Sequence, residues 1–275
     1  MAGKLFVVGT PIGNLSDFSP RAIDTLSSVD FIAAEDTRVT VKLLNHFGIN
    51  KPMLAYYEHN KKERGGDVIA RLLAGESCAL VSDAGMPAIS DPGEDLVAMA
   101  YKYGIEVESV PGPSALITAL AISGMKSGRF CFEGFLSVNK PSRRAHLSEV
   151  KKEKRTMIFY EAPHKLPATL KDMLDAFGNR KLAIVRELTK LHEEVIHTTL
   201  KEAADMYNEE YKPRGEYVLI IEGYDDSADN EYTFEAAVEL ARSYVKEGNS
   251  ASTAAKMAAA DTGFKKGDIY KKLLT

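Results

Sequence analysis

Six short segments hold the residues of this sequence best suited to gripping a ligand. Four come early: Gly9-Thr10-Pro11-Ile12-Gly13-Asn14-Leu15, Glu35-Asp36-Thr37-Arg38, Ser82-Asp83-Ala84-Gly85-Met86-Pro87 and Pro111-Gly112-Pro113-Ser114-Ala115. Two follow later, Tyr160-Glu161-Ala162-Pro163-His164 and Arg186-Glu187-Leu188-Thr189. Glycine lets a backbone come close to a ligand, and proline fixes a loop without adding a competing N–H. Loops of this kind suit a ligand held mainly by main-chain N–H and C=O groups. Gly9-x-x-x-Gly13 matches neither the dinucleotide fingerprint nor the phosphate loop with its Lys-Ser/Thr, and no acidic residue sits where a dinucleotide ribose would need one. Hydride transfer and nucleotide hydrolysis lose ground accordingly. The six histidines and two cysteines show no metal-ligand spacing, so no metal is expected.

Each segment follows a predicted strand. Leu5–Val8, Phe31–Ala34, Cys78–Val81 and Glu106–Val110 read as strands, and helical stretches alternate with them. Ser19-Pro20 supplies an N-cap with proline at the first helical position. Gly48 closes the helix through Val39–Phe47, another helix lies near Gly66–Leu73, and Asp91-Pro92-Gly93-Glu94 has N-cap and capping-box spacing. Alternation of this sort implies a mostly parallel sheet covered on both faces. Beyond it, Phe130–Phe135, Thr156–Tyr160, Leu182–Arg186, Glu194–Thr199 and Glu216–Glu222 read as strands of a mixed sheet. Ligands of open α/β sheets bind outside the carboxyl ends of strands. Any one loop reads equally as ordinary turn punctuation, but six together, from both halves, point to one ligand in a cleft between them. A zwitterionic ligand with an adenine, such as S-adenosylmethionine, suits such a cleft.

The expected organisation is an α/β domain over residues 1–113, a mixed α/β domain over 114–224 and a helical, helix-turn-helix-like tail over 233–275. An acidic stretch, Gly223–Tyr232, links the last two. There are no internal repeats. The apolar fraction of 45% is enough for a substantial core, and the net charge of −4 confines any RNA surface to local basic patches. Cys78 and Cys131 read as small buried hydrophobes of a reducing compartment. No signal-peptide core and no membrane-length apolar run is present, so the expected location is cytoplasmic.

The same motifs, with Phe132-Glu133-Gly134-Phe135-Leu136, Ile158–His164 and Arg214-Gly215-Glu216, resemble the ribosomal RNA small subunit methyltransferase I family. That family belongs to the tetrapyrrole-methylase fold superfamily, a class III methyltransferase architecture, and the resemblance covers nearly the whole chain. It implies methyl transfer from S-adenosylmethionine to the 2′-hydroxyl of a cytidine in small-subunit rRNA, by a homodimer with cofactor between its two domains. Met86 stands where the family usually has threonine.

Carried over by position, the resemblance implies cofactor contacts at Pro11, Ile12, Ser82, Asp83, Ala84, Gly85, Ser114, Ala115 and Tyr160. Asp83 also reads as a turn aspartate bonding its own backbone. Methyl transfer needs in-line positioning, and a group accepting the hydroxyl proton would help. Glu35, Asp36 and Glu187 are the candidates, although Glu35–Arg38 and Arg186–Glu187 read equally as structural charge pairs. Arg38, Arg143, Arg144, Lys265 and Lys266 are candidate RNA contacts. Lys151, Lys152, Lys154 and Arg155 read better as a solvated face. A tetrapyrrole methylase and a non-catalytic RNA-binding factor are the competing functions.

Overall fold

The computed structural model describes residues 2–208, 212–225 and 233–274. The chain divides into two compact units, Met1–Gly223 and Tyr224–Thr275.

In the first unit, β1 (Lys4–Val8), β2 (Phe31–Ala34), β3 (Met53–Ala55), β4 (Cys78–Val81) and β5 (Glu106–Val110) form one sheet in the order β3-β2-β4-β1-β5. Every neighbouring pair is parallel. Every residue of β2 and β4 is buried, because helices cover both sides and leave no face for polar alternation. Phe31, Ala33, Cys78 and Leu80 pack on α3 (Lys61–Leu73) and α4 (Gly93–Lys102). The alternate residues Ile32, Ala34, Ala79 and Val81 pack on α1 (Pro20–Ser28) and α2 (Thr37–His46). The edge strand β5 is more polar, and Lys4 bridges its Glu106 and Glu108 at 2.8 and 2.9 Å.

Strand β3 is absent from the expectations above. It is a three-residue edge strand, partly exposed along its whole length and without a β-branched residue, so it carries no periodic signal. Ser19 caps α1 by accepting from the Ala22 N–H at 3.1 Å, with Pro20 at the first position. Asp91 behaves differently from a simple N-cap. Its carboxylate accepts from Gly93 N at 2.8 Å and also turns back to Ala88 N and Ile89 N at 2.9 and 3.3 Å. It therefore organises the preceding loop as well as the start of α4.

The second sheet comprises β6 (Phe130–Phe135), β7 (Thr156–Glu161), β8 (Lys181–Arg186), β9 (Glu194–Thr199) and β10 (Tyr217–Ile221). Its order is β6-β7-β10-β8-β9, with β6–β7 parallel and the other pairs antiparallel. One face packs on α6 (Lys140–Glu149), α7 (Leu166–Phe177) and α8 (Leu200–Met206). The other packs on α5 (Ala115–Ile122), a helix apolar on all sides, and on Ile12 from the loop after β1.

The second unit is built from α9 (Phe234–Lys246), α10 (Ala251–Thr262) and α11 (Lys266–Leu273). Thr233 and Ser250 cap the first two, and Gly263, at φ +76°, ends α10 in the left-handed conformation glycine favours. An alanine seam (Ala237, Ala241, Ala255, Ala258) closes around Ile269. Of the acidic stretch Gly223–Tyr232, residues 226–232 lie outside the described residues.

Candidate functional site

The loops after β1, β4 and β5 are tied together by close backbone approach. A Cβ on Gly9 would stand 2.7 Å from the Gly112 N and Cα, and one on Gly112 would stand 2.9 Å from the Gly9 backbone. Neither position admits a side chain without separating the loops. The Met86 sulfur accepts from the Gly112 N–H at 3.3 Å, so this side chain supports the crossing. Thr10 and Gly85 exchange backbone hydrogen bonds of 2.9 and 3.1 Å, with Gly85 at φ +86°. Replacing Gly112 by valine is expected to raise the free energy of this arrangement by roughly 1–3 kcal/mol or more. Gly128, with nothing within 4 Å of its would-be Cβ, is the control: Gly128→Ala should leave ligand binding unchanged, while calorimetry should show clear weakening for Gly112→Val.

These loops form one wall of a cavity of about 490 Å³. Ile12, Glu35, Ser82, Asp83, Ala84 and Gly85 line it, as do Met86, the 89–91 segment, Ser114 and Ala115. The opposite wall comes from the second sheet: Phe135, the 160–163 segment, Val185, Leu188 and the 216–218 segment. Tyr160 joins the walls. Its hydroxyl accepts from the Leu116 N–H at 2.9 Å and so satisfies a first-turn donor of α5, whose N-cap Ser114 makes no side-chain cap bond. Burial raises the Tyr160 phenol above its ordinary value. Tyr160→Phe leaves the Leu116 N–H without this partner, so thermal unfolding should register a loss of about 1–3 kcal/mol.

Of the acidic residues that line the cavity, Glu35 and Asp83 support one another's loops. Glu35 accepts from the Asp83 N–H at 3.3 Å, and Asp83 accepts from the Asp36 N–H at 3.0 Å. Burial raises Glu35 above the ordinary glutamate range, and the charges of Asp83, Asp91 and Asp36 add to this. Asp83 is raised too, chiefly by burial. Asp36 is opposite in character: it caps α2 and holds Arg38 in a two-pronged ion pair at 2.7–3.2 Å. The Arg38 hydrogen bonds bring it down to about 2. Glu187 is also lowered, first by Lys190 at 2.9 Å, and it accepts from the Glu216 N–H at 3.0 Å. Of the three candidate proton acceptors, Glu35 lines the cavity; Asp36 and Glu187 do not.

The remaining expected residues fall in several places. Pro11 does not line the cavity, although its neighbour Ile12 does. Arg38 is 87% exposed but engaged by Asp36. Arg143 corrects an expectation: it is buried, with its guanidinium on Asp172 at 2.6 and 2.9 Å and on the Ser137 and Val138 carbonyls at 3.2 Å. It holds α6 to α7 and presents no charge to a phosphate. Arg144, one residue on, is 53% exposed and reaches the other Asp172 oxygen at 2.9 Å. Lys265 and Lys266 are exposed at the start of α11 in the second unit. Among the described residues no group of three or more His, Cys, Asp or Glu could hold a metal ion, and no helix is long and apolar enough to cross a membrane.

Sequence reasoning passed over Ile89, Ser90, Asp91, Phe135 and Glu161 as individual lining residues. Ala88 and Ser90, with φ of +67° and +65°, carry the left-handed backbone that often marks functional loops. The one available signal for this segment was Asp91 two residues before a glycine.

The family model for Tetrapyrrole (Corrin/Porphyrin) Methylases matches residues 4–204. The chain is 48% identical over 271 residues to the ribosomal RNA small subunit methyltransferase I of Halalkalibacterium halodurans, covering 98% of this chain and 93% of that one. It is 46% identical over 275 residues to the protein of the same name from Pseudomonas aeruginosa, covering 99% and 97%. Among solved structures, the cobalamin biosynthetic enzyme cobalt precorrin-4 methyltransferase superposes with a TM-score of 0.58 at 17% identity, over 80% of this chain and 94% of that one. The chain belongs to the tetrapyrrole methylase family, among the members named ribosomal RNA small subunit methyltransferase I.

Proposed function

We propose that this protein transfers the methyl group of S-adenosylmethionine to the 2′-hydroxyl of a cytidine in small-subunit ribosomal RNA. The observation that carries the reading is likeness along almost the entire chain, 98% and 99% of it, to relatives named for that RNA. The cavity suits the cofactor. Apolar walls from Ile12, Val185 and Leu188 stand beside main-chain groups of the 82–85 and 114–115 loops, with the Glu35 and Asp83 carboxylates between them. That lining suits the flat faces of an adenine ring, the ribose hydroxyls and a positively charged sulfonium and ammonium.

In this reading Ile12, Ser82, Asp83, Ala84, Gly85, Ser114, Ala115 and Tyr160 hold the cofactor, which supplies an electrophilic methyl group, while Pro11 fixes the loop that carries Ile12. The chain's own contribution is chiefly positioning. Glu35 accepts the proton of the ribose hydroxyl. Asp36 and Glu187 position their loops: Asp36 donates its N–H to Asp83, and Glu187 accepts from Glu216. Arg38, Arg144, Lys265 and Lys266 meet RNA phosphates, and Arg143 supports Arg144 by sharing Asp172. A homodimer in the cytoplasm completes the reading.

Incubation with methyl-labelled S-adenosylmethionine tests it, offering isolated small subunits in one arm and a uroporphyrinogen-type tetrapyrrole in the other. Label should enter the subunit RNA and leave the tetrapyrrole blank. Binding to the subunit should weaken as salt rises, because phosphate contacts release counterions. The reverse distribution of label would make this a small-molecule methylase despite its likeness to the RNA-named relatives.

A further inference from the structure

Strand β6 departs from regular pairing near its end. Phe130, Cys131 and Phe132 pair with Thr156, Met157 and Ile158, and then the register jumps, so that Gly134 faces Phe159 and Phe135 faces Tyr160. Glu133 is the extra residue, and Gly134 sits at φ +65°. The consequence follows from the two-residue period of a strand. Without the bulge, Phe135 would share a face with Cys131, which packs into the core under α6 and α7. The inserted residue moves it to the face of Phe132 and Tyr160, which is the cavity side. Bulges re-aim side chains in this way next to functional sites. Only a residue tolerant of positive φ fits at Gly134, and its would-be Cβ lies 3.4 Å from the Ser90 Oγ of the opposite wall.

What the bulge delivers is an aromatic ring left largely uncovered. Phe135 is 54% exposed although it lines a cavity. Its ring is held from behind, 5.3 Å from the Tyr160 ring with an interplanar angle of 58°. The Lys165 ammonium lies 5.6 Å from its centroid. That ammonium is itself fixed by Glu161 at 2.9 Å and by the Leu136 carbonyl at 3.1 Å, so the ring is buttressed by a set of buried or half-buried polar contacts. Ile89, 45% exposed, also lines the cavity. A ligand that covered Phe135 and Ile89 in the cavity would remove their apolar surface from water.

We propose that the Phe135 ring is the platform on which the target nucleobase stacks while its ribose is presented to the cavity. The proposal rests on the reading of the substrate given above. Sequence-tolerant RNA recognition uses unstacked bases laid on aromatic faces, and a base removed from its own stack gains most from such a surface. The adenosyl group of the cofactor is the competing occupant, and the two make opposite predictions.

The test compares wild type with Phe135→Ala, Phe135→Leu and Phe135→Trp, using isolated small subunits and labelled S-adenosylmethionine, with cofactor affinity measured separately by calorimetry. Phe135→Ala and Phe135→Leu should raise KM for the subunit by about ten-fold or more, as loss of one stacked base does, while Phe135→Trp stays within roughly three-fold of wild type. Cofactor affinity should be the same in all four proteins. A Leu variant with wild-type KM overturns the proposal, because apolar bulk alone would then suffice. So does a fall in cofactor affinity that parallels the fall in activity, which assigns the ring to the adenosyl group. Should the Ala variant not fold, the Leu and Trp variants decide the matter. If wild type itself places no label in the subunit, the reading of the substrate fails; a labelled wild type beside an unimpaired Leu variant removes the stacking platform alone.

Discussion

Replacing Arg143 by alanine is expected to lower the stability of the protein by about 3–5 kcal/mol, because it leaves the buried Asp172 carboxylate without its main partner. Both side chains are nearly inaccessible, at 8% and 4% exposure. Burial alone would raise Asp172, but the hydrogen bonds from Arg143 and Arg144 outweigh it and hold the carboxyl below the ordinary aspartate range. The pH dependence follows from that direction. A folded-state value below the unfolded one gives stability that is fully present above the ordinary aspartate range and is lost as pH falls through the lower, folded value. Arg144→Ala removes only the half-exposed partner and should cost about 1 kcal/mol or less. Denaturant unfolding of the two variants, at neutral pH and in acid, checks both statements; equal losses would mean that Arg143 is not the structural member of the pair. Any RNA-binding experiment on this surface should therefore change Arg144 and leave Arg143 in place.

Glu35→Gln is expected to lower kcat by about 10²–10⁴-fold if the carboxylate accepts the hydroxyl proton. The acceptor must be ionised, and burial with neighbouring acids raises Glu35 above the usual glutamate range. Activity should therefore fall, as pH is lowered, at a higher pH than an ordinary carboxylate would dictate. The Gln variant should lose that acidic limb together with the rate. Asp36→Asn should act differently: Asp36 is held down to about 2 by Arg38, so no limb near neutrality belongs to it. A pH–kcat profile that keeps its acidic limb in the Gln variant would move the acceptor away from Glu35.

Much of the architecture is legible in the sequence because burial on both faces writes itself as continuous apolar runs. Phe31–Ala34 and Cys78–Val81 have the bounds expected of them. Strand β3 shows the limit: Met53–Ala55 is short, half-exposed and chosen by pairing with β2 rather than by its own composition. The acids show another. Glu35, Asp36 and Glu187 look alike as strand-end carboxylates next to arginines, and only the fold separates the one left in the cavity from the two consumed by ion pairs. Arg143 and Arg144 are adjacent in sequence, yet one helical step of about 100° sends the first into the interface with α7 and the second outward. Phe135 is least legible of all, since a regular strand would have turned it into the core, and the bulge that prevents this is a property of pairing with β7.

Locating the transferred methyl group distinguishes RNA ribose methylation from the alternatives most directly. Small subunits labelled by the protein and S-adenosylmethionine would be digested to nucleosides, and the RNA also mapped by alkaline hydrolysis, which a 2′-O-methyl group blocks at its own position. Label is expected on the ribose of a cytidine, at a single alkali-resistant step, and Glu35→Gln should slow its appearance by about 10²–10⁴-fold. Label on a base, or subunits that stay unlabelled while a tetrapyrrole is methylated, would contradict it.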